Sequence, residues 1–390
     1  MTRRGEGSHR DRTGEATFTP AQGRPRPGAP GLDSAAVPRV LITGGAGFVG
    51  ANLAVSLAEL HPDWEVLAFD NLKRRGAELN LERLRAAGVG FVHGDVRVRD
   101  DVLATTGLDA IVECSAEPSV LAGVDGSPDY LVQTNLVGAY HCLELARRER
   151  AQFVFLSTSR VYPVQTLERA RVTETETRFE LAAEQDVPGL SDRGVAEDLP
   201  LEGARTLYGT TKLSAELLIA EYAETYGVSA VIDRCGVIAG PWQMGKVDQG
   251  VFTYWLLAHR FRRPLSYIGY GGQGKQVRDL LHVDDLVDLI DEQLTEPETW
   301  AGRTLNVGGG REVSLSLAEA TALCRELTGN EIEVGAANED RPGDLRIYVS
   351  DCTRLFGMTD WRPRRDARTI LADTLDWIAE HEDAVRSALG

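Results

Sequence analysis

The stretch Val40–Leu53, Val-Leu-Ile-Thr-Gly-Gly-Ala-Gly-Phe-Val-Gly-Ala-Asn-Leu, constrains this chain more than any other. Its apolar start reads as a buried strand, the glycines as a tight turn, and the run after them as the first turns of a helix. Gly44, Gly47 and Gly50 keep the spacing that a dinucleotide-binding turn requires. One glycine makes the turn, the next lets backbone N–H groups approach a pyrophosphate, and the last lets helix and strand pack closely. The helix N-terminus then offers partial positive charge to the phosphates. A glycine triplet alone is weak evidence; its place between a strand and a helical run carries the reading.

The next strand, Trp64–Phe69, ends on Asp70, about 20 residues beyond the last glycine, where a carboxylate accepts hydrogen bonds from ribose hydroxyls and repels a 2′-phosphate. NAD is therefore expected rather than NADP, although Lys73, Arg74 and Arg75 are side chains of the kind that hold a 2′-phosphate. Gly94-Asp95-Val96 closes a third strand. Asp95 is expected against the adenine amine, or else in a surface turn.

Short apolar strands at 39–43, 64–69, 89–92, 110–114, 152–157 and 229–234 alternate with helical stretches. That rhythm predicts a doubly wound parallel α/β sheet, a Rossmann fold, with helices on both faces. Residues 1–36, rich in Arg, Gly and Pro and without a hydrophobic run, read as a mobile tail and not a secretory signal. Residues 37–236 form the expected nucleotide-binding domain. From 237 to 390 a smaller interleaved C-terminal lobe is expected to hold substrate, with 276–308 returning to the large domain. The charge-rich segment 163–205 has little periodicity and reads as a surface insertion near the site mouth.

The net charge of −17 argues against non-specific binding to nucleic acid or an anionic membrane. No apolar run is long enough to span a bilayer. The five cysteines show neither C-x-x-C nor metal-ligand spacing, so no metal is expected and a reducing cytoplasm is the simplest setting.

The chemistry is expected at Tyr208 and Lys212. Four residues apart on a predicted helix, they share one face. A nearby ammonium favours the phenolate, which a phenol titrating near ~10 needs for general-base work around neutrality. Lys212 can also hold the nicotinamide ribose. Thr158, ending the strand Phe155-Leu-Ser-Thr158, would lie at the carboxyl edge of a parallel sheet and bridge a substrate hydroxyl to Tyr208.

Together these motifs resemble the extended short-chain dehydrogenase/reductases, specifically the NAD-dependent nucleotide-sugar epimerases and dehydratases, from about Arg39 to Asp366. The resemblance rests on Thr43–Gly50, Ser157-Thr-Ser-Arg-Val-Tyr162, Tyr208-Gly-Thr-Thr-Lys212, Arg234 with Gly240-Pro241, Arg278–Asp285 and Arg341-Pro-Gly-Asp344. It implies that Phe48, Val49, Asn71, Asp95, Val96, Ser115, Ala116 and Asn135 join the glycines and Asp70 around NAD. It implies that Arg278 and Arg341 clamp a nucleotide diphosphate, and that Glu117, Arg160, Arg234 and Gln243 meet the sugar nucleotide.

Departures narrow the reaction. Nucleotide-sugar 4,6-dehydratases usually carry Asp-Glu where this chain has Ser159-Arg160, and UDP-glucuronate decarboxylases typically have Glu where Arg160 stands. Arg160, Gly240–Gly250 and Gly274–Arg278 resemble instead the CDP-paratose 2-epimerases. Glu113 replaces a histidine, and Pro163 a glycine. The resemblance thus implies epimerisation of a nucleotide-diphosphate sugar, of which the C2 type is one form. Tyr208 would take a hydroxyl proton while NAD takes hydride from the carbon that bears it; the keto-sugar turns over, hydride returns to its opposite face, and Tyr208 returns the proton to the oxygen. Alternatives are a 4-epimerase, dehydratase, decarboxylase or net dehydrogenase, and, of another class, a non-catalytic NAD-sensing protein. A homodimer is expected through the apolar helices near 130–147 and 212–226.

Overall fold

The computed structural model describes residues 37–245, 249–337 and 343–389; the expected tail, 1–36, lies outside the described residues. Five strands open the chain: β1 (Arg39–Thr43), β2 (Glu65–Asp70), β3 (Gly90–His93), β4 (Ala110–Glu113) and β5 (Gln152–Thr158). With the strands Ala230–Cys235 and Arg303–Val307 they make a seven-stranded sheet, in the order 303–307, 230–235, β5, β4, β1, β2, β3. Every pairing in it is parallel. Each strand expected in this part of the sequence is present, with its bounds shifted by no more than a residue or so.

Side chains alternate across β1, so its neighbours feed two cores. Ile42 packs with Leu53 and Leu57 of the helix α1 (Phe48–Leu60), and with Leu286 and Ile290 of the helix Val283–Thr295. Leu41 faces the other way, toward Leu143 and Leu145 of the helix Ala139–Glu149 and Ile219 of the helix Leu207–Tyr226. Both faces are covered, as a parallel sheet of apolar strands demands. From β1 the chain winds outward to β3, then returns to β1's other flank as β4. The strand order reverses there, which opens a crevice beyond the carboxyl ends of β1 and β4.

After Cys235 the chain leaves this sheet. A smaller four-stranded sheet joins Val237–Ala239, Val277–His282, Ser314–Ser316 and Ile347–Tyr348. It is packed by the helices Val251–Arg260, Leu317–Thr328 and Ala367–Glu380 around Trp255, Leu256, Ala320 and Ile370. Between these elements, Arg303–Val307 runs back to edge the large sheet beside 230–235.

Residues 163–205 differ from the expectation of an irregular surface insertion. They fold into a short helix, Val164–Leu167, and two small hairpins, 172–181 and 190–195. Leu167, Ala170, Val187, Leu190, Val195 and Leu199 build a core of their own with Tyr162, Leu345 and Tyr348. The spacing of those apolar residues follows neither a strand nor a helix period, which is why periodicity missed them. Among the described residues, no helix is long and apolar enough to cross a membrane, and no cluster of metal-ligating side chains occurs.

Candidate active site

The glycine turn sits at the crevice. Gly44 adopts φ +64°, and a Cβ there would lie 2.9 Å from the Cys114 carbonyl carbon. A Cβ on Gly50 would come within 2.2 Å of Gly44 O, so only glycine lets α1 start this close to β1. α1 has no acidic residue and no side-chain cap in its first turn, leaving its N-terminal N–H groups to an anion. Gly44, Ala46, Gly47, Phe48, Val49, Gly50, Asp70, Asn71, Val96, Ser115 and Ala116 line a cavity of about 200 Å³. A dinucleotide's phosphates fit this cradle by chemistry and by clearance.

Asp70 ends β2 at that cavity. The Ala46 N–H donates to its Oδ2 (3.1 Å) and the Leu72 N–H to its Oδ1 (2.7 Å). Burial nonetheless raises its pKa, against those two bonds. Asp70 therefore both ties the glycine loop to β2 and faces the cavity. Asp95 stands apart: Gly94 and Val96 line the cavity, but the Asp95 carboxylate is forked by Arg97 (2.6 Å at closest) and takes a bond from Asn71 Nδ2 at 3.0 Å. The Arg97 hydrogen bonds bring it down to about 2. It acts here as the anchor of a turn. Asn135 is buried and does not line the cavity. It accepts from the Glu117 N–H (2.7 Å) and donates to Glu117 O (3.0 Å), fixing the loop that carries Ser115 and Ala116.

A second cavity, of about 610 Å³, adjoins the first through Phe48, Val49, Cys114, Ala116, Pro118, Gln243 and Gln249, which line both. Thr158, at the carboxyl end of β5, and Tyr208 and Lys212, one turn apart on the helix Leu207–Tyr226, meet on its wall. Thr206 caps that helix through a bond from the Gly209 N–H, which sets where Tyr208 emerges. Burial pushes the Tyr208 phenol above its ordinary value; the Lys212 ammonium and a hydrogen bond with Thr158 work against that rise. Lys212 is buried, with Nζ 3.3 Å from Glu113 Oε2 and 4.4 Å from the centre of the Phe155 ring.

Arg160, Gln243 and Arg278 also line the larger cavity. Arg160 donates to Gly343 O at 2.9 Å, and burial, with Arg278 nearby, lowers it to about 10. Arg278 Nη2 pairs with Asp344 at 2.6 Å. Arg341 lies outside the described residues. Two expected substrate contacts are not brought to the cavity. Arg234 grips Glu216 and donates to Tyr162 Oη at 3.2 Å inside the core. Glu117 turns back on its own loop, accepting from the Ser119 N–H at 3.3 Å, and lines neither cavity. Glu113 and Asp344 were not among the expected site residues. The motif that contributed Arg341 already contained Asp344; the departure from histidine at position 113 was the signal for the other.

The sequence profile of the NAD dependent epimerase/dehydratase family matches residues 40–308. The chain is 31% identical over 351 residues to CDP-paratose 2-epimerase of Salmonella typhi, covering 87% of this chain and 98% of that protein. To dTDP-glucose 4,6-dehydratase of Mycolicibacterium smegmatis it is 30% identical over 351 residues, covering 88% and 94%. Among solved structures it is similar to UDP-glucose 4-epimerase of Thermus thermophilus in complex with NAD. The identity there is 26% and the TM-score 0.69, over 87% of this chain and 99% of that one.

Proposed function

Because this chain belongs to the NAD dependent epimerase/dehydratase family, we propose that it epimerises a nucleotide-diphosphate sugar through a transient keto-sugar, with C2 as the inverted carbon. Identity does not separate epimerase from dehydratase, since relatives of both kinds stand near 30%. One observation favours epimerisation. Among the described residues the only carboxylate lining the larger cavity is Asp344, and it is paired with Arg278. Loss of water needs an acid and a base beside the leaving hydroxyl; here Ser159 and Arg160 follow Thr158 instead.

The residues divide the work. Gly44, Gly47, Phe48, Val49, Gly50 and Asp70 would hold NAD, which supplies hydride acceptance and return when bound. Tyr208 would accept the sugar hydroxyl proton at Oη and give it back, with Thr158 orienting that hydroxyl and Lys212 supplying charge beside the phenol. Arg278 would hold the diphosphate by its guanidinium fork, and Arg160, two residues beyond Thr158, would meet the sugar, which is left to turn over without release. The free cysteines accord with a reducing cytoplasm. Tyr140 and Leu217, exposed on neighbouring helices, would form part of a homodimer face.

The test is incubation with a panel of nucleotide sugars in heavy water, followed by mass and proton spectra. One substrate should yield an isomer of unchanged mass, without deuterium at the inverted carbon and without net reduction of NAD. A product lighter by the mass of a water molecule would make it a dehydratase. Accumulating reduced cofactor would make it a dehydrogenase. Tyr208→Phe should lower kcat by about 10²-fold or more.

A further inference from the structure

Glu113 has no part in the scheme above, yet it ends β4 with its side chain 1% exposed and pointing at Lys212, itself 2% exposed. Oε2 is 3.3 Å from Nζ. Burial raises the Glu113 carboxyl; the Lys212 ammonium foremost, then hydrogen bonds from the Ser115 backbone and the Thr43 hydroxyl, work against that rise. Lys212 lines the larger cavity and Glu113 lies behind it, and nothing else within ion-pair reach of Nζ carries a negative charge among the described residues. An ammonium removed from water and left without a counter-charge gives up its proton, because burial disfavours the charged form by several pKa units. Lys212 can raise the phenolate content of Tyr208 only while it stays charged.

We propose that Glu113 is a positioning residue for the proton transfer at Tyr208: its buried carboxylate supplies the counter-charge of the Lys212 ammonium and fixes that ammonium on the helix face below the phenol. This rests on Tyr208 being the proton acceptor. The surroundings admit no rival for the task. Lys212 and Glu113 face Cys142 from the helix Ala139–Glu149 and Cys114 from the end of β4, Lys212 also faces Cys235 from the strand 230–235, and burial pushes all three thiols up, so they stay neutral. Tyr208 faces Arg160, Thr158 and Cys235 besides Lys212. Arg160 is engaged with Gly343 O and is a second cation acting on the phenol.

The experiment is a spectrophotometric titration of the Tyr208 phenol in the full chain, with and without added NAD, taken as the difference from Tyr208→Phe so that the other tyrosines cancel. Glu113→Gln, which keeps the shape and removes the charge, should move the Tyr208 titration to higher pH by about one unit, about tenfold less phenolate at a given pH. The acid limb of kcat/KM should move with it. Lys212→Met should give a similar displacement, and the double variant the same displacement as Lys212→Met alone. Glu113→Asp, with the charge restored on a shorter arm, should recover part of it. An unmoved titration, or one moved to lower pH, overturns the proposal; the latter would mean that the carboxylate only screens the ammonium. If Glu113→Gln does not fold, the double variant, which removes both buried charges together, still decides: a titration differing from that of Lys212→Met shows Glu113 acting other than through Lys212. If Tyr208→Phe retains full turnover, the functional reading itself falls. If Tyr208 is essential but indifferent to Glu113, this inference alone falls.

Discussion

Arg234 clamps Glu216 inside the core, with Nη2 2.7 Å from Oε2 and Nε 3.2 Å from both carboxylate oxygens. Ser157 Oγ, one residue before Thr158, donates to the same carboxylate at 2.5 Å. Glu216 lies one turn beyond Lys212 on the same helix. The cluster therefore joins β5, the strand 230–235 and the helix that carries Tyr208, and holds Thr158 and Tyr208 at a common height.

Arg234→Leu leaves the Glu216 carboxylate buried without its main partner. We expect it to lower stability by about 3–5 kcal/mol in urea unfolding, and to lower kcat more than it raises KM. A large rise in KM at unchanged stability would return Arg234 to a substrate-binding role.

Stability should fall as pH rises from about 4 to about 7. Burial raises Asp233 from 3.8 to about 7, with only a hydrogen bond from Gln293 opposing, and raises Asp279 to about 6. A carboxyl whose folded pKa lies above its unfolded one is held more tightly by the folded chain, so its contribution is present below the unfolded value and is lost as pH climbs through the folded value. Asp233→Asn should flatten the plot of unfolding midpoint against pH over that window; an identical slope in wild type and variant would contradict it.

Gly50→Ala places a methyl carbon 2.2 Å from Gly44 O. Either the turn or the start of α1 must shift. The expected result is at least tenfold weaker NAD binding by calorimetry, together with a loss of about 1–3 kcal/mol in stability, the usual cost of overpacking. Unchanged affinity would mean that the turn does not hold the phosphates.

Arg278→Met removes the fork held by Asp344 at the cavity wall. If that fork holds the diphosphate, KM for the sugar nucleotide should rise by about tenfold or more while kcat changes little. A fall in kcat at constant KM would place Arg278 at the reacting carbon instead.

Much of this was legible in the sequence because it is local. The glycine turn, Asp70 at the end of β2 and the Tyr208–Lys212 pair each follow from spacing within one or two elements. What spacing could not show was which partner a charged side chain finds across the fold. Arg234 reads as a substrate contact until the helix brings Glu216 beside it, and Asp95 as an adenine contact until Arg97 folds over it. Glu117 was expected in the pocket from the resemblance; its neighbours Ala116 and Pro118 do line the larger cavity, but its side chain bonds back along its own loop. The segment 163–205 hid its core for a different reason: its apolar residues converge through turns, which leave no period to read.

The return of Arg303–Val307 to the edge of the large sheet has a consequence for how this chain can be cut or inherited. A fragment ending near Gly236 would carry the whole glycine turn and Tyr208, yet would leave the outer backbone of residues 230–235 unpaired and ready to recruit a stranger's strand. The portion proposed to hold the sugar nucleotide thus also seals the portion proposed to hold the cofactor, so recombination should exchange the two halves only as a single inheritable block.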